Sequence, residues 1–149
     1  MRSRELADID GLRTFVVVFG QGDEPYGGLT DFCMDNHVSA ASFTAVGAFS
    51  RATLAYFDPS RMDYVDIPID GQVEVLSMVG DVALSDGEPQ VHAHLVVGHE
   101  DGSTHGGHLK EASVFPTLEV VLTETPAHLH KRHDRETGLT LIDPSLGAT

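Results

Sequence analysis

Gln90-Val91-His92-Ala93-His94-Leu95-Val96-Val97-Gly98-His99-Glu100-Asp101-Gly102-Ser103-Thr104-His105-Gly106-Gly107-His108-Leu109-Lys110 is the stretch on which the reading of this chain turns. Val91, Ala93, Leu95 and Val97 recur at every second position and form one apolar face, the period of a strand with one face inward. Asp101-Gly102 is a strong turn signal between two such runs. The stretch therefore predicts an antiparallel hairpin, with strands from Gln90 to Val97 and from Thr104 to Lys110. His92 and His94 sit two apart and leave the same face, opposite the apolar one. If the hairpin pivots on Asp101, His108 falls directly opposite His94. If it pivots a half-step later, His108 points away unless Gly106-Gly107 forms a bulge. Three imidazoles with an open fourth position form the usual catalytic zinc arrangement, whereas a structural site is closed by a fourth protein ligand. Imidazoles also suit nickel, copper and iron, so zinc or another divalent transition metal is the expected cofactor. The alternative is a polar cluster buried at a subunit interface.

Outward from the hairpin the chain reads mainly as strands. Leu12 to Phe19 (LRTFVVVF) is a buried strand between Gly11 and Gly20. Leu29, Phe32, Cys33 and Asn36 recur at spacings of three and four, which predicts one helix from about Tyr26 to His37. His37 is expected to end it, where an imidazolium suits the helix dipole. Ser39 to Phe57 reads as two strands or one bulged strand around Gly47. Tyr64 to Ile69 is a short strand in which Pro68 signals an edge. Val73 to Leu84 follows, with Val73, Val75 and Ser77 on one face and Glu74, Leu76 and Met78 on the other. Leu118 to Thr123 is another buried strand. A His-rich segment from Ala127 to Thr137 precedes a last strand at Leu139 to Ile142. The fold class is thus α+β, a mixed α/β chain: a mainly antiparallel twisted sheet of about six to eight strands with one early helix packed on it. No linker, repeat or low-complexity tract interrupts residues 1–149, which read as a single domain.

Composition bounds the function. Nine Lys and Arg stand against 23 Asp and Glu, a net charge of −14 with His neutral. Duplex DNA is held by cations that displace counterions from phosphates, and this chain has no cations to spare, so direct DNA binding is not expected. No apolar run approaches the ~20 residues that span a bilayer, and no signal-peptide pattern opens the chain, so no membrane association and a cytoplasmic location are the expectation. Cys33 stands alone, on the apolar face of the predicted helix, and reads as core. Hydrolase, Walker and Cys-x-x-Cys motifs are absent from the sequence. Glu74 and Glu119 sit mid-strand among apolar residues, where a carboxylate needs a partner. Each is a candidate acceptor for an imidazole N–H or a candidate catalytic acid/base. Their alternative is an ion pair with Arg13 or Arg51. Of the nine histidines, His105 is expected to face away from His108 and His99 to lie in the turn. His128, His130 and His133 read as a second cluster, a solvated surface with a metal site as its alternative.

The motifs also carry a family resemblance. Gly47-Ala48-Phe49-Ser50-Arg51-Ala52-Thr53-Leu54, Gly71-Gln72-Val73-Glu74-Val75-Leu76-Ser77-Met78-Val79-Gly80, His92-Ala93-His94-Leu95, Gly106-Gly107-His108-Leu109 and Thr117-Leu118-Glu119-Val120-Val121 together resemble the PPC domain conserved in plants and prokaryotes. The resemblance runs from about Thr14 to Glu124 and leaves 125–149 as a C-terminal extension. It implies an α/β fold and a homotrimer with the histidines near the subunit contacts. In plants the domain follows an AT-hook that grips DNA. No Arg-Gly-Arg-Pro occurs here, so the DNA-binding description given to bacterial members by association has no hook to rest on. A more distant similarity, to alpha-acetolactate decarboxylase, implies a metal held by His92, His94 and His108. Three functions follow as expectations. The first is a trimeric regulatory or assembly module with a three-histidine metal site. The second is a zinc-dependent enzyme acting on a small carbonyl or carboxylate, with Glu74 or Glu119 as acid/base, and the third a regulator that reaches DNA through a partner. Itself, and a small-molecule ligand, are the expected partners.

Overall fold

The computed structural model of the protein describes residues 1–126 and 128–146. Ala127, with which the His-rich segment begins, and residues 147–149 of the extension lie outside the described residues.

Among the described residues, eight strands and one helix follow in the order β1 (Arg2–Ile9), β2 (Leu12–Gly20), α1 (Pro25–Asp35), β3 (Ala41–Asp58), β4 (Asp63–Ser85), β5 (Glu88–Gly98), β6 (Thr104–Glu124), β7 (Lys131–His133) and β8 (Thr140–Ile142). The main sheet runs β1-β2-β6-β3-β4-β5, every pairing antiparallel, and β5 also pairs with β6. That last pairing joins β3, β4, β5 and β6 into a closed circuit, which the long, twisted strands make possible. The interior is filled by apolar side chains, among them Phe19, Phe43, Phe49, Leu54, Leu95 and Leu122. The expected α+β class, mainly antiparallel with one early helix, is what the chain adopts.

The helix begins one residue earlier and ends two earlier than its apolar spacing predicts. Glu24 caps it, its carboxylate accepting from Tyr26 N at 3.1 Å and Gly27 N at 2.7 Å, and Pro25 takes the first turn, where a missing N–H costs nothing. Asn36 closes the other end through Nδ2 to Phe32 O, 2.9 Å. His37 lies just beyond, with φ 55°. Leu29, Phe32 and Cys33 face the sheet, as their spacing requires.

Of the two readings of Ser39 to Phe57, the structure takes the single bulged strand, β3. Runs that the sequence separates elsewhere are joined. Tyr64–Ile69 and Val73–Leu84 are one strand, β4, because Gly71 at φ 84° lets two residues, Gly71 and Gln72, oppose Ser50 without breaking the ladder. Thr104–Lys110 and Leu118–Thr123 are likewise halves of β6. β1 was not expected from Arg2–Ile9, a charged, largely exposed run. An edge strand needs only one hydrogen-bonding neighbour, and charge on its free faces guards it. The edge signalled by Pro68 is present, since β5 pairs only with the Glu74–Ser85 half of β4.

One bulge decides the site. Strict alternation from Val73 and Val75 would send Val79 and Asp81 inward. Leu76 and Ser77 instead oppose Val46 alone, and the phase flips: Met78 and Val82 are buried, while Val79 and Asp81 face outward. Met78 therefore does not share a face with Glu74, as alternation predicts.

Candidate metal centre

β5 and β6 pair in the register that pivots on Asp101: His94 opposes His108, and Gly98 opposes Thr104. His92 and His94 leave β5 on its outer face, because Val91, Ala93, Leu95 and Val97 fill the interior. The ring centroids of His92 and His94 are 4.9 Å apart, those of His92 and His108 5.2 Å, and those of His94 and His108 5.5 Å. One nitrogen from each lies within 4.8 Å of the other two, the one such group of three or more ligating side chains among the described residues. Glycine 107 makes this approach possible. A Cβ there would sit 2.7 Å from the Ala55 carbonyl oxygen, so only a bare backbone fits between β5 and β3.

The donor chemistry fits a divalent transition metal. Burial, then the nearby His92 and His94, push the His108 imidazole down to about 4. Burial, then His92, lower His94 as well. Both are therefore neutral near pH 7, the form that ligates. His108 Nδ1 is buried without a hydrogen-bond partner, an orphan that a metal ion would satisfy.

Asp81 supports the cluster from β4, directly opposite His92 in the ladder. Its Oδ2 lies 3.2 Å from His92 Nδ1, which leaves Nε2 as the His92 nitrogen free to ligate. Lys131 Nζ lies 3.5 Å from Asp81 Oδ1, with the lysine side chain only 4% exposed. That separation is an ion pair rather than a good hydrogen bond, and Oδ1 has no hydrogen-bond partner among the described groups. Burial raises the Asp81 carboxyl, but the His92 hydrogen bond and the Lys131 charge outweigh it, and the carboxyl titrates below its ordinary range. Tyr64 packs its ring on His108, centroids 4.9 Å apart. Sequence reading found none of these three. Asp81 was hidden by the bulge, and Lys131 and Tyr64 come from parts of the chain that only the fold brings near.

Glu74 and Glu119 stand elsewhere. Both are exposed. Glu74 is seven positions from Asp81 along β4, roughly 23 Å at strand rise, and Glu119 is further still from His108 along β6. Within one chain the fold does not bring either to the histidines. Nor do they pair with the expected arginines: Arg13 instead donates to Glu124, Nη2 to Oε1 at 2.6 Å and Nε to Oε2 at 2.8 Å, and Arg51 opposes Asp70 across the ladder. His99 Nε2 and His105 Nδ1 are 3.0 Å apart at the far end of the hairpin. His128 contacts the Ser39 hydroxyl, His130 bridges to Leu84 and His133 lies in β7, so the tail histidines do not gather. Cys33 is buried, and desolvation pushes its thiol up to about 12, which fits a core residue.

Residues 8–126 match the Plants and Prokaryotes Conserved (PCC) domain, also written PPC. The chain belongs to this family. A PPC protein of Pyrococcus horikoshii superposes with a TM-score of 0.83 at 32% identity, over 88% of this chain and 91% of that one. A metal-containing protein of Archaeoglobus fulgidus gives 0.81 at 29%, over 87% and 91%. A candidate DNA-binding protein of Ralstonia eutropha gives 0.80 at 28%, over 87% and 90%. In addition, 97 residues, 64% of this chain, are 35% identical to part of the bifunctional protein GlmU of Synechococcus sp., of which they span 14%. The expected PPC membership thus stands. The matched PCC region ends just before the segment that carries Lys131.

Proposed function

We propose that this PCC-domain protein is a homotrimeric regulatory or assembly module in which His92, His94 and His108 hold zinc or another divalent transition metal. The observation that carries the reading is three imidazoles with ligating nitrogens within 4.8 Å of one another, one nitrogen buried and unpartnered. The metal-containing relative from Archaeoglobus supports it. Exposed valines on the outer face support self-association: Val121, Thr44, Val79, His94 and His108 are successive ladder partners around the circuit, and Val79 and Val121 in that row are about half exposed. The cytoplasm is the proposed location; no helix among the described residues is long and apolar enough to cross a membrane. Direct DNA contact is not part of the proposal, because a net charge of −14 opposes it.

A cavity of about 490 Å³ beside His92 and His108 favours a second reading, a metal-dependent enzyme acting on a small carbonyl or carboxylate. Zinc there supplies Lewis-acid polarisation of a substrate oxygen.

Elemental analysis of untagged protein beside the His94→Ala variant tests the metal site. About one metal per chain, lost in the variant with the fold intact, is the expected result. No metal in either, even after zinc is offered at neutral pH, overturns the site and leaves the cluster as packing.

A further inference from the structure

The C-terminal segment walls the histidine cluster on one side. Leu84 N donates to Leu129 O at 2.8 Å, and His130 bridges to Leu84, so the segment is fastened to the end of β4. β7 then starts at Lys131, whose Cα partner on β8 is Ile142. This short hairpin and the outer face of β5 border an open cavity of about 490 Å³. Its lining has two characters. His92, His108 and the buried Lys131 supply one side, and Leu139, Leu141 and Ile142 are apolar. Lys131 is the one Lys or Arg among the described lining residues.

We propose that this cavity binds a small carboxylic acid with a short aliphatic body. The carboxylate faces the three-histidine metal and the Lys131 ammonium, and the hydrocarbon lies against Leu139, Leu141 and Ile142. The assignment rests on the metal reading above. Charge selects the headgroup. With a divalent ion and Lys131 against Asp81, the one carboxylate among the described lining residues, the cavity carries a net positive charge that an anion neutralises. Apolar walls select the body, because a bare inorganic oxyanion leaves them wet. The volume suits a small organic ligand. Lys131 is a binding residue contributed from beyond the matched PCC region, so the ligand class belongs to this chain's extension.

The test uses the full chain loaded with cobalt(II), whose visible absorption reports the metal independently of any turnover. Isovalerate, isovaleramide and inorganic phosphate are the probes. Isovalerate is expected to change the cobalt spectrum and raise the Tm saturably, isovaleramide to do neither, and phosphate to bind at least about tenfold more weakly. Lys131→Met should keep the cobalt spectrum and weaken isovalerate by about 10–100-fold, the worth of one charge-assisted hydrogen bond. If Lys131→Met does not fold, the comparison of isovalerate with its amide in the unaltered protein decides. Absence of a cobalt spectrum overturns the metal reading and this assignment with it. A normal cobalt spectrum with acid and amide alike, with phosphate as tight as isovalerate, or with isovalerate unaffected by Lys131→Met, overturns the assignment alone.

Discussion

Asp81 and His92 face each other across the β4–β5 ladder, Oδ2 lying 3.2 Å from the imidazole Nδ1. The carboxylate fixes which His92 nitrogen points to the cluster, and its other oxygen meets the buried ammonium of Lys131. One side chain thereby couples a histidine of the family domain to the C-terminal segment.

Replacing Asp81 by Asn keeps its shape and removes its charge. Zinc affinity, measured by competition with a chromophoric chelator, is expected to fall by about 10–100-fold, the usual cost of losing an outer-shell carboxylate. Lys131 would also lose its counter-ion while buried, so the urea midpoint should fall too. Unchanged zinc affinity would show that the Asp81–His92 contact does not orient a ligand.

Acid should weaken the metal-free protein through His108. Its folded-state value of about 4 lies below the ordinary imidazole value of 6.5, so the unfolded chain takes up a proton first as pH falls. The stabilisation is complete above about pH 6.5 and is lost progressively down to about pH 4, at no more than about 1.4 kcal/mol per pH unit. Urea unfolding between pH 7.5 and 4.5 is the measurement. His108→Gln should flatten the slope in that window; an equal slope would assign the acid sensitivity to other groups.

How much of this could be read from the residues depends on which physics set each feature. The β5–β6 hairpin was legible because alternation and an Asp-Gly turn act locally, but its register was not: two pivots were open, and the pairing of His94 with His108 selects the one on Asp101. The helix was legible from Leu29, Phe32 and Cys33, though its ends were set by Glu24 and Asn36 through capping contacts that apolar spacing does not register. Asp81 was illegible because a bulge at Leu76–Ser77 reverses the faces of β4, and a bulge is fixed by what the neighbouring strand requires. Lys131 was illegible for a different reason: it reaches Asp81 from fifty positions away, and no local pattern encodes that contact. Glu74 and Glu119 stood out as mid-strand acids, yet both lie on exposed positions where water solvates them.

Gly107→Ala should damage the site without touching a ligand. Its Cβ would sit 2.7 Å from the Ala55 carbonyl oxygen, a backbone atom that cannot rotate away. Either β3 or β6 must shift, at a cost of about 1–3 kcal/mol, and His108 moves with its neighbour. A lower Tm together with weaker zinc binding is expected. Gly102→Ala is the control for this substitution: Gly102 has φ 81° in the turn but open space around its Cβ, so it should lose stability through backbone strain while zinc affinity holds.

Self-association should depend on Val79, which stands between Thr44 and His94 in the outward row and is 51% exposed. A solvent-facing valine in mid-sheet, flanked by strands whose neighbouring outward positions include Val46, Val96 and Val121, is the composition of a covered face rather than a free one. Val79→Lys puts a cation on that row without creating a cavity, because the side chain already points away from the core. Light scattering after size exclusion should read three chains for the unaltered protein and a smaller species for the variant, with similar far-ultraviolet circular dichroism. Zinc binding separates two arrangements. If the metal is held within one chain, the smaller species retains it, since all three imidazoles come from β5 and β6 of the same circuit. If binding is lost along with assembly, the subunit contact is what draws the three nitrogens from within 4.8 Å to ligating distance.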